Sequence, residues 1–311
     1  MRELPPRARL TNLHSKINSQ GEEQFSTVTI EATAPAPVEV SYPEPTLCQV
    51  TVRAAMNMYP GPLYVQDGII REVTLHTVAE ETVFNICLDE AVQAVITCFE
   101  GTPYRICLNF NRRPMQDFYQ DRVVVIDPGH GGSDPGHRGP VNLLERDMAW
   151  KTAGELARIL EGLKARVVMT RRQEENPSWQ ERLARVPPGA FCFLSIHEYG
   201  SPDAARRGTA VLYNPARPEN EELAAAVLER IVTRVKTPPR GTSPDAELVQ
   251  LGQLPALRIE PVTITNWVDE GLLRNPYFHQ KTALAVVVAI KQYFRQRSKD
   301  YGPRNKENSF S

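Results

Sequence analysis

The chain has 311 residues, 41% of them hydrophobic and 23% charged, a globular composition long enough for two domains. Lysine plus arginine total 36 against 37 aspartate plus glutamate, so charge gives no argument for nucleic acid or an anionic membrane surface as a partner. No apolar run reaches the roughly 18 residues of a membrane span; the longest, 283–290, falls within a helical pattern.

Residues 1–24 are polar and aperiodic, which predicts a disordered N-terminal segment. It opens Met1-Arg-Glu-Leu-Pro-Pro-Arg7, without an apolar h-region, so no signal peptide is visible. From 25 to 112 short alternating runs take over, at 27–31, 48–52, 70–75, 82–86, 94–98 and 104–108. Turn residues separate them at Tyr59-Pro-Gly-Pro62, Asp67-Gly68 and Gly101-Thr-Pro103. That rhythm predicts a small all-β sandwich. Four of the five cysteines lie here. Strand alternation turns Cys48 inward and turns Cys87 and Cys107 away from the core, where they could lie side by side. Free thiols and a disulfide both stay open, and the spacings do not fit a zinc knuckle.

Residues 111–121 read as a linker. From 121 to 297 strands alternate with helices, which predicts an α/β domain built on a twisted, mostly parallel sheet flanked by helices. The apolar run 123–126 suits a strand buried on both faces, and it leads into Asp127-Pro-Gly-His-Gly-Gly132. Glu145 stands at the next helix start, ahead of Trp150, Ala153, Leu156, Ala157, Leu160 and Leu163 at helical spacing. His197 closes the run 191–197, and Glu260 closes 255–260. Leu223, Val227, Ile231 and Val235 repeat the helical spacing, and 277–294 forms a long final helix. The polar tail 298–311 is expected to be mobile.

In a parallel sheet, functional groups gather at the carboxyl ends of strands. His130 and His197 follow two such ends, and Glu145 reaches the same edge from a helix start. Two imidazoles and a carboxylate leave a zinc ion one open position for water, so Zn2+ is the expected cofactor. Glu260, ending a third strand, is the candidate catalytic group that moves the water's proton. Each residue also has a plainer reading. The Gly-rich turn at His130 could cradle an anion, although no Walker Lys-Ser/Thr follows. His197 could be a satisfied core histidine, Glu145 an acid favoured by the helix dipole, and Glu260 an edge carboxylate. Asp127 either orients a ligand histidine or caps the Asp-Pro turn. His137 and His279 are read as non-ligands. Glu198 either tunes the site or points into solvent.

Taken in order, these segments resemble the zinc-dependent N-acetylmuramoyl-L-alanine amidases, the family often called amidase type 3. Its strand into Asp-Pro-Gly-His-Gly-Gly is matched by 127–132, and its Glu-Lys/Arg-Asp helix start by Glu145-Arg-Asp147. Thr170-Arg171, Glu181-Arg182, Ser195-Ile-His197, Gly208-Thr209 and Ile259-Glu260 with Asn266 continue the pattern, over 121–296 in all. The resemblance implies cleavage between N-acetylmuramic acid and L-alanine of peptidoglycan, with zinc on His130, Glu145 and His197 and with Glu260 catalytic. It implies a place in the cell envelope, periplasm or cell wall. Arg171, Arg182 and Arg207 would contact stem-peptide carboxylates or make structural ion pairs. The rhythm of 25–112, with Val65-Gln-Asp-Gly68, is similar to the AMIN domain that often precedes these amidases and is thought to bring them to the wall or division site. Some relatives insert a helix after the Gly-Thr strand that blocks the zinc. Here only 214–220 follows, which implies a cleft open without an activator protein. Glu198-Tyr199 stands where the family usually has Ala-Asn, Pro261-Val-Thr-Ile-Thr265 replaces its Gly-Phe-Leu segment, and Arg185-Val186 replaces a further Ala-Asn. These departures keep two other readings open: a catalytically weak peptidoglycan-binding protein, and a zinc peptidase of related fold.

Overall fold

A computed structural model describes residues 8–59 and 61–300. Contacts divide the chain after Asp117 into two units. The first contains β1 (Arg9–Gln20), β2 (Glu23–Ala32), β3 (Val38–Glu44), β4 (Leu47–Val52), β5 (Ala55–Met56), β6 (Leu63–Tyr64), β7 (Ile70–Val78), β8 (Glu81–Leu88), β9 (Ala94–Phe99) and β10 (Tyr104–Asn111). They form two five-stranded sheets, ordered β5-β1-β2-β10-β9 and β3-β4-β8-β7-β6. Alternation sorts each strand's side chains. Val28 and Ile30 of β2, and Ile106, Leu108 and Phe110 of β10, are buried as core, while Thr27, Thr29 and Asn109 occupy the opposite, polar side.

Three expectations need correcting here. The segment 1–24, expected to be disordered, carries β1, and only residues 1–7 of it lie outside the described residues. β1 buries little, but it pairs with β2 from Leu10↔Ala32 to Gln20↔Glu23. Backbone hydrogen bonds order it, and these leave no trace in hydrophobic periodicity. Cys87 and Cys107 sit on β8 and β10, in different sheets, and all five cysteines are free. Alternation assigns a residue to a face without saying which sheet it joins; Cys48 is buried as expected. The linker at 111–121 is instead largely α1 (Arg113–Tyr119), begun by Asn111 accepting a 2.7 Å bond from the Arg113 amide. Met115, Phe118 and Tyr119 bury at helical spacing, and the Tyr119 hydroxyl donates to the Val287 carbonyl at 2.6 Å.

The second unit contains β11 (Val123–Pro128), α2 (Glu145–Gly162), β12 (Arg166–Met169), α3 (Trp179–Ala184), β13 (Cys192–Ile196), β14 (Thr209–Tyr213), α4 (Glu219–Val235), β15 (Pro239–Pro244), β16 (Ala256–Glu260), α5 (Trp267–Leu273) and α6 (Pro276–Asp300). Its six strands are ordered β12-β11-β13-β16-β14-β15. All neighbours run parallel except β14 against β16. Val125 and Phe193 cluster with Leu248 and Ala256, and Trp179 of α3 packs on them. Elsewhere α6 packs against both α2 and α4, with its apolar run 283–290 buried throughout. Of the tail expected to be mobile, residues 298–300 continue α6 and the rest lies outside the described residues.

This order places the site. β11 and β13 are adjacent with Pro128 opposite Ile196, and β13 and β16 are adjacent with Ile196 opposite Ile259. The residues just past these three ends therefore share one edge of the sheet.

Candidate active site

His130 leaves β11 in a left-handed conformation, with φ of 56°. Such a backbone costs a non-glycine residue on the order of 1–3 kcal/mol unless its surroundings fix it. Here they do. Gly131 and Asp134 exchange backbone hydrogen bonds at 3.0 and 2.8 Å. Arg182 donates to the carbonyls of Pro128 and His130, each at 2.7 Å, and to that of Pro177 at 3.0 Å. Arg171 donates to the carbonyls of Pro128, Gly129, Arg146, Arg172 and Gln173. Gly129 is required for another reason: a Cβ there would lie 2.3–2.6 Å from the His197 ring. Glu145 starts α2, where the helix dipole favours acids.

The structure brings His130, Glu145 and His197 together, with one ligand atom from each lying within 4.8 Å of the others. Glu145 is buried, and its Oε1 lies 3.1 Å from His130 Nε2 and 2.9 Å from His197 Nδ1. Donors about 2.0–2.1 Å from a tetrahedral metal stand roughly 3.3 Å apart. The group therefore fits a divalent ion with little rearrangement. Asp134 Oδ2 lies 2.8 Å from His130 Nδ1, which fixes the ring with Nε2 toward Glu145. Burial would raise the Glu145 carboxyl, but hydrogen bonds from His130 and His197 outweigh it and hold the group far below the usual carboxylate range. Burial would lower His130, and Glu145 with Asp134 reverses that shift upward.

Glu260 ends β16 and faces the same cleft of about 580 Å³, whose other walls include Asn176, Trp179, Tyr199 and Arg258. Its Oε2 accepts from Arg240 at 2.5 Å, and its Oε1 has no protein partner among the described residues. Glu198 does not point into solvent. It is 1% exposed and both carboxylate oxygens lack partners among the described residues, although its amide donates to Glu145 at 3.1 Å. Burial, reinforced by the charges of Glu145 and Glu260, pushes its carboxyl well above the usual range.

Asp127, Arg171 and Arg207 each had two readings in the sequence, and their contacts show where each side chain goes. Asp127 touches no histidine; it pairs with Arg182 at 2.8 Å and accepts from Ser195 at 2.7 Å and Thr170 at 2.5 Å. Arg171 is 2% exposed and committed to loop carbonyls, so it builds the turn and is closed to a substrate carboxylate. Arg207 pairs with buried Asp269 at 3.2 Å and does not line the cleft.

His137, read as a non-ligand, lies outside the candidate metal group. It meets the other Glu145 oxygen through its amide at 2.9 Å and through Nδ1 at 2.7 Å. The sequence reading does not single out Asp134 or Arg240. Asp134 follows His130 by four residues in a tight turn, a usable signal; Arg240 had none. His279, read as a non-ligand, is held by Thr152 and the Leu273 carbonyl, away from the cleft.

Residues 124–292 match the family described as N-acetylmuramoyl-L-alanine amidase. The probable cell wall amidase LytH of Staphylococcus epidermidis is 30% identical over 176 residues, which is 56% of this chain and 58% of that relative. Its Staphylococcus aureus counterpart is 30% identical over 179 residues, 56% and 59% of the two chains. The chain thus spans under two thirds of these relatives. Among solved structures, an N-acetylmuramoyl-L-alanine amidase from Clostridium difficile 630 superposes with a TM-score of 0.54 at 27% identity, over 57% of this chain and 99% of that one. The amidase AmiC2 of Nostoc punctiforme gives 0.52 at 28%, over 56% and 97%.

Proposed function

The chain belongs to the N-acetylmuramoyl-L-alanine amidase family, and on that premise we propose that it hydrolyses the amide between N-acetylmuramic acid and L-alanine in peptidoglycan, with zinc as its metal. The observation that carries this reading is the meeting of His130, Glu145 and His197 in one cleft with Glu260. Two neutral imidazoles and a carboxylate suit zinc. Bound there, zinc supplies Lewis acidity toward the amide carbonyl and makes water acidic enough to ionise near neutral pH.

The protein's own groups do the rest. Glu260 takes a water proton at Oε1, since Arg240 occupies Oε2, and delivers it to the leaving nitrogen of L-alanine. Asp134 keeps His130 in one tautomer and orientation. The Arg171 and Arg182 contacts hold the turn so that ligand geometry is set before substrate arrives. The naming of the staphylococcal relatives supports action in the cell envelope, and no helix of the described residues is long and apolar enough to cross a membrane. Residues 214–218 are all that separate β14 from α4, too few for an inserted blocking helix, which supports activity without a partner protein.

The test is incubation of the purified chain with intact peptidoglycan, with and without a zinc chelator, beside Glu260→Gln. The expected result is free stem peptides with an L-alanine amino end by mass spectrometry, lost with chelator and in the variant. Binding without release would instead indicate a wall-binding protein, and cleavage within the stem peptide a zinc peptidase.

A further inference from the structure

We propose that Arg240 is the positioning residue for Glu260, fixing one carboxylate oxygen so that the other serves as the proton carrier. This rests on the reading of Glu260 as the group that moves the proton. Arg240 lies 20 positions before Glu260 and comes from β15, two strands away across β14.

The backbone shows how so distant a side chain reaches the cleft. β14 pairs Thr209 with Pro239 and then Ala210 with Gly241, so Arg240 is the extra residue of a bulge. Bulges re-aim a side chain out of the sheet's alternation, and they concentrate beside active sites. Ala210 is also opposite Glu260 in the β14–β16 ladder, so bulge and carboxylate stand at the same level.

Three contacts then hold the guanidinium. Nη2 donates to Glu260 Oε2 at 2.5 Å, Nε donates to the Gly208 carbonyl at 3.0 Å, and the group lies 4.1 Å from the Tyr199 ring centroid. Both side chains of the pair are largely buried, 9% and 12% exposed. A planar fork fixed by a carbonyl, a ring and a carboxylate loses little further freedom per bond, which a lysine cannot match. The surroundings make the pairing necessary. Glu260 shares its pocket with the Glu145 carboxylate and draws its hydrogen bond from Arg240, so without Arg240 it faces a like charge and can rotate away from it. Tyr199, in place of the asparagine expected after a Ser-Ile-His strand, thereby acquires a role: its ring is the platform for the arginine.

The test uses Arg240→Met, Arg240→Lys, Glu260→Gln and the double variant Arg240→Met/Glu260→Gln on a soluble muramyl peptide, with zinc affinity and thermal melting measured alongside. An ångström-scale displacement of a reacting group costs on the order of 10²-fold. Arg240→Met should therefore lose about that much kcat with KM changed less than about threefold, and Arg240→Lys should recover part of it. Zinc affinity should stay at the wild-type value, because Arg240 touches none of the three ligands. In the Glu260→Gln background, Arg240→Met should cost almost nothing more. Should Arg240→Met fail to fold, Tyr199→Leu, which removes only the platform, should lower kcat with KM held. Wild-type kcat in Arg240→Met with Glu260→Gln inactive overturns the positioning role and leaves the proton carrier standing. Independent, multiplying losses also overturn it. Wild-type kcat in Glu260→Gln removes the premise itself, since Arg240 would have nothing to act through.

Discussion

Replacing Asp127 by asparagine probes whether the turn that carries His130 depends on a buried charge pair. Asp127 and Arg182 are both buried and lie 2.8 Å apart. Asparagine keeps the shape; its one carbonyl oxygen can still accept from Thr170 or Ser195 and its NH2 can donate to the other hydroxyl, but it removes the charge opposite Arg182. Deleting one partner of a buried pair costs about 3–5 kcal/mol, because the survivor is left uncompensated. The retained hydrogen bonds place the expectation at the low end, about 3 kcal/mol. Trp150, Trp179 and Trp267 all belong to the second unit, so tryptophan fluorescence during urea unfolding reads that unit alone. A chelator in the buffer removes stabilisation by bound metal. The double variant Asp127→Asn/Arg182→Met should recover part of the loss, since the orphaned cation is gone. It should not recover all of it, because the Pro128, His130 and Pro177 carbonyls lose their donor. A loss under about 1 kcal/mol for Asp127→Asn would refute the reasoning, since that is the range of an exposed ion pair.

The same pair sets a pH dependence. Burial alone would raise the Asp127 carboxyl, but Arg182 outweighs it and holds the group below its ordinary value of 3.8. A depressed acid stabilises the fold fully above its ordinary value and loses that contribution as pH falls toward the folded one. The stability gap between wild type and Asp127→Asn should therefore be constant above about pH 5 and close below it; a gap that widens in acid would contradict the assignment. Gly129→Ala places a Cβ 2.3–2.6 Å from the His197 ring and must displace that ring. Zinc affinity should fall at least about tenfold, or roughly 1.4 kcal/mol, as read by competition with a chromophoric chelator, and unchanged affinity would mean that the ring has room to move.

The sequence by itself brought out the candidate metal group. His130, His197 and Glu260 each end a short apolar run, and Glu145 begins a helical one. Parallel strands deliver such ends to one edge, so spacing and element type were sufficient. The alternating runs of the first unit were legible because burial on one face writes a period of two into the chain, although β9 buries no residue. β1 was not, because pairing with β2 needs no apolar face. The tertiary structure alone decided the supports. Asp127 could be read as a partner of histidine or a cap, yet folding puts it against Arg182, because only packing decides which buried cation meets which buried anion. Glu198 stands beside a ligand in sequence, but whether its carboxylate meets water or protein depends on side-chain direction at a strand end. Arg240 is the extreme case. A one-residue bulge on an edge strand carries it to Glu260, and a bulge is a relation between two strands that neither strand's sequence contains.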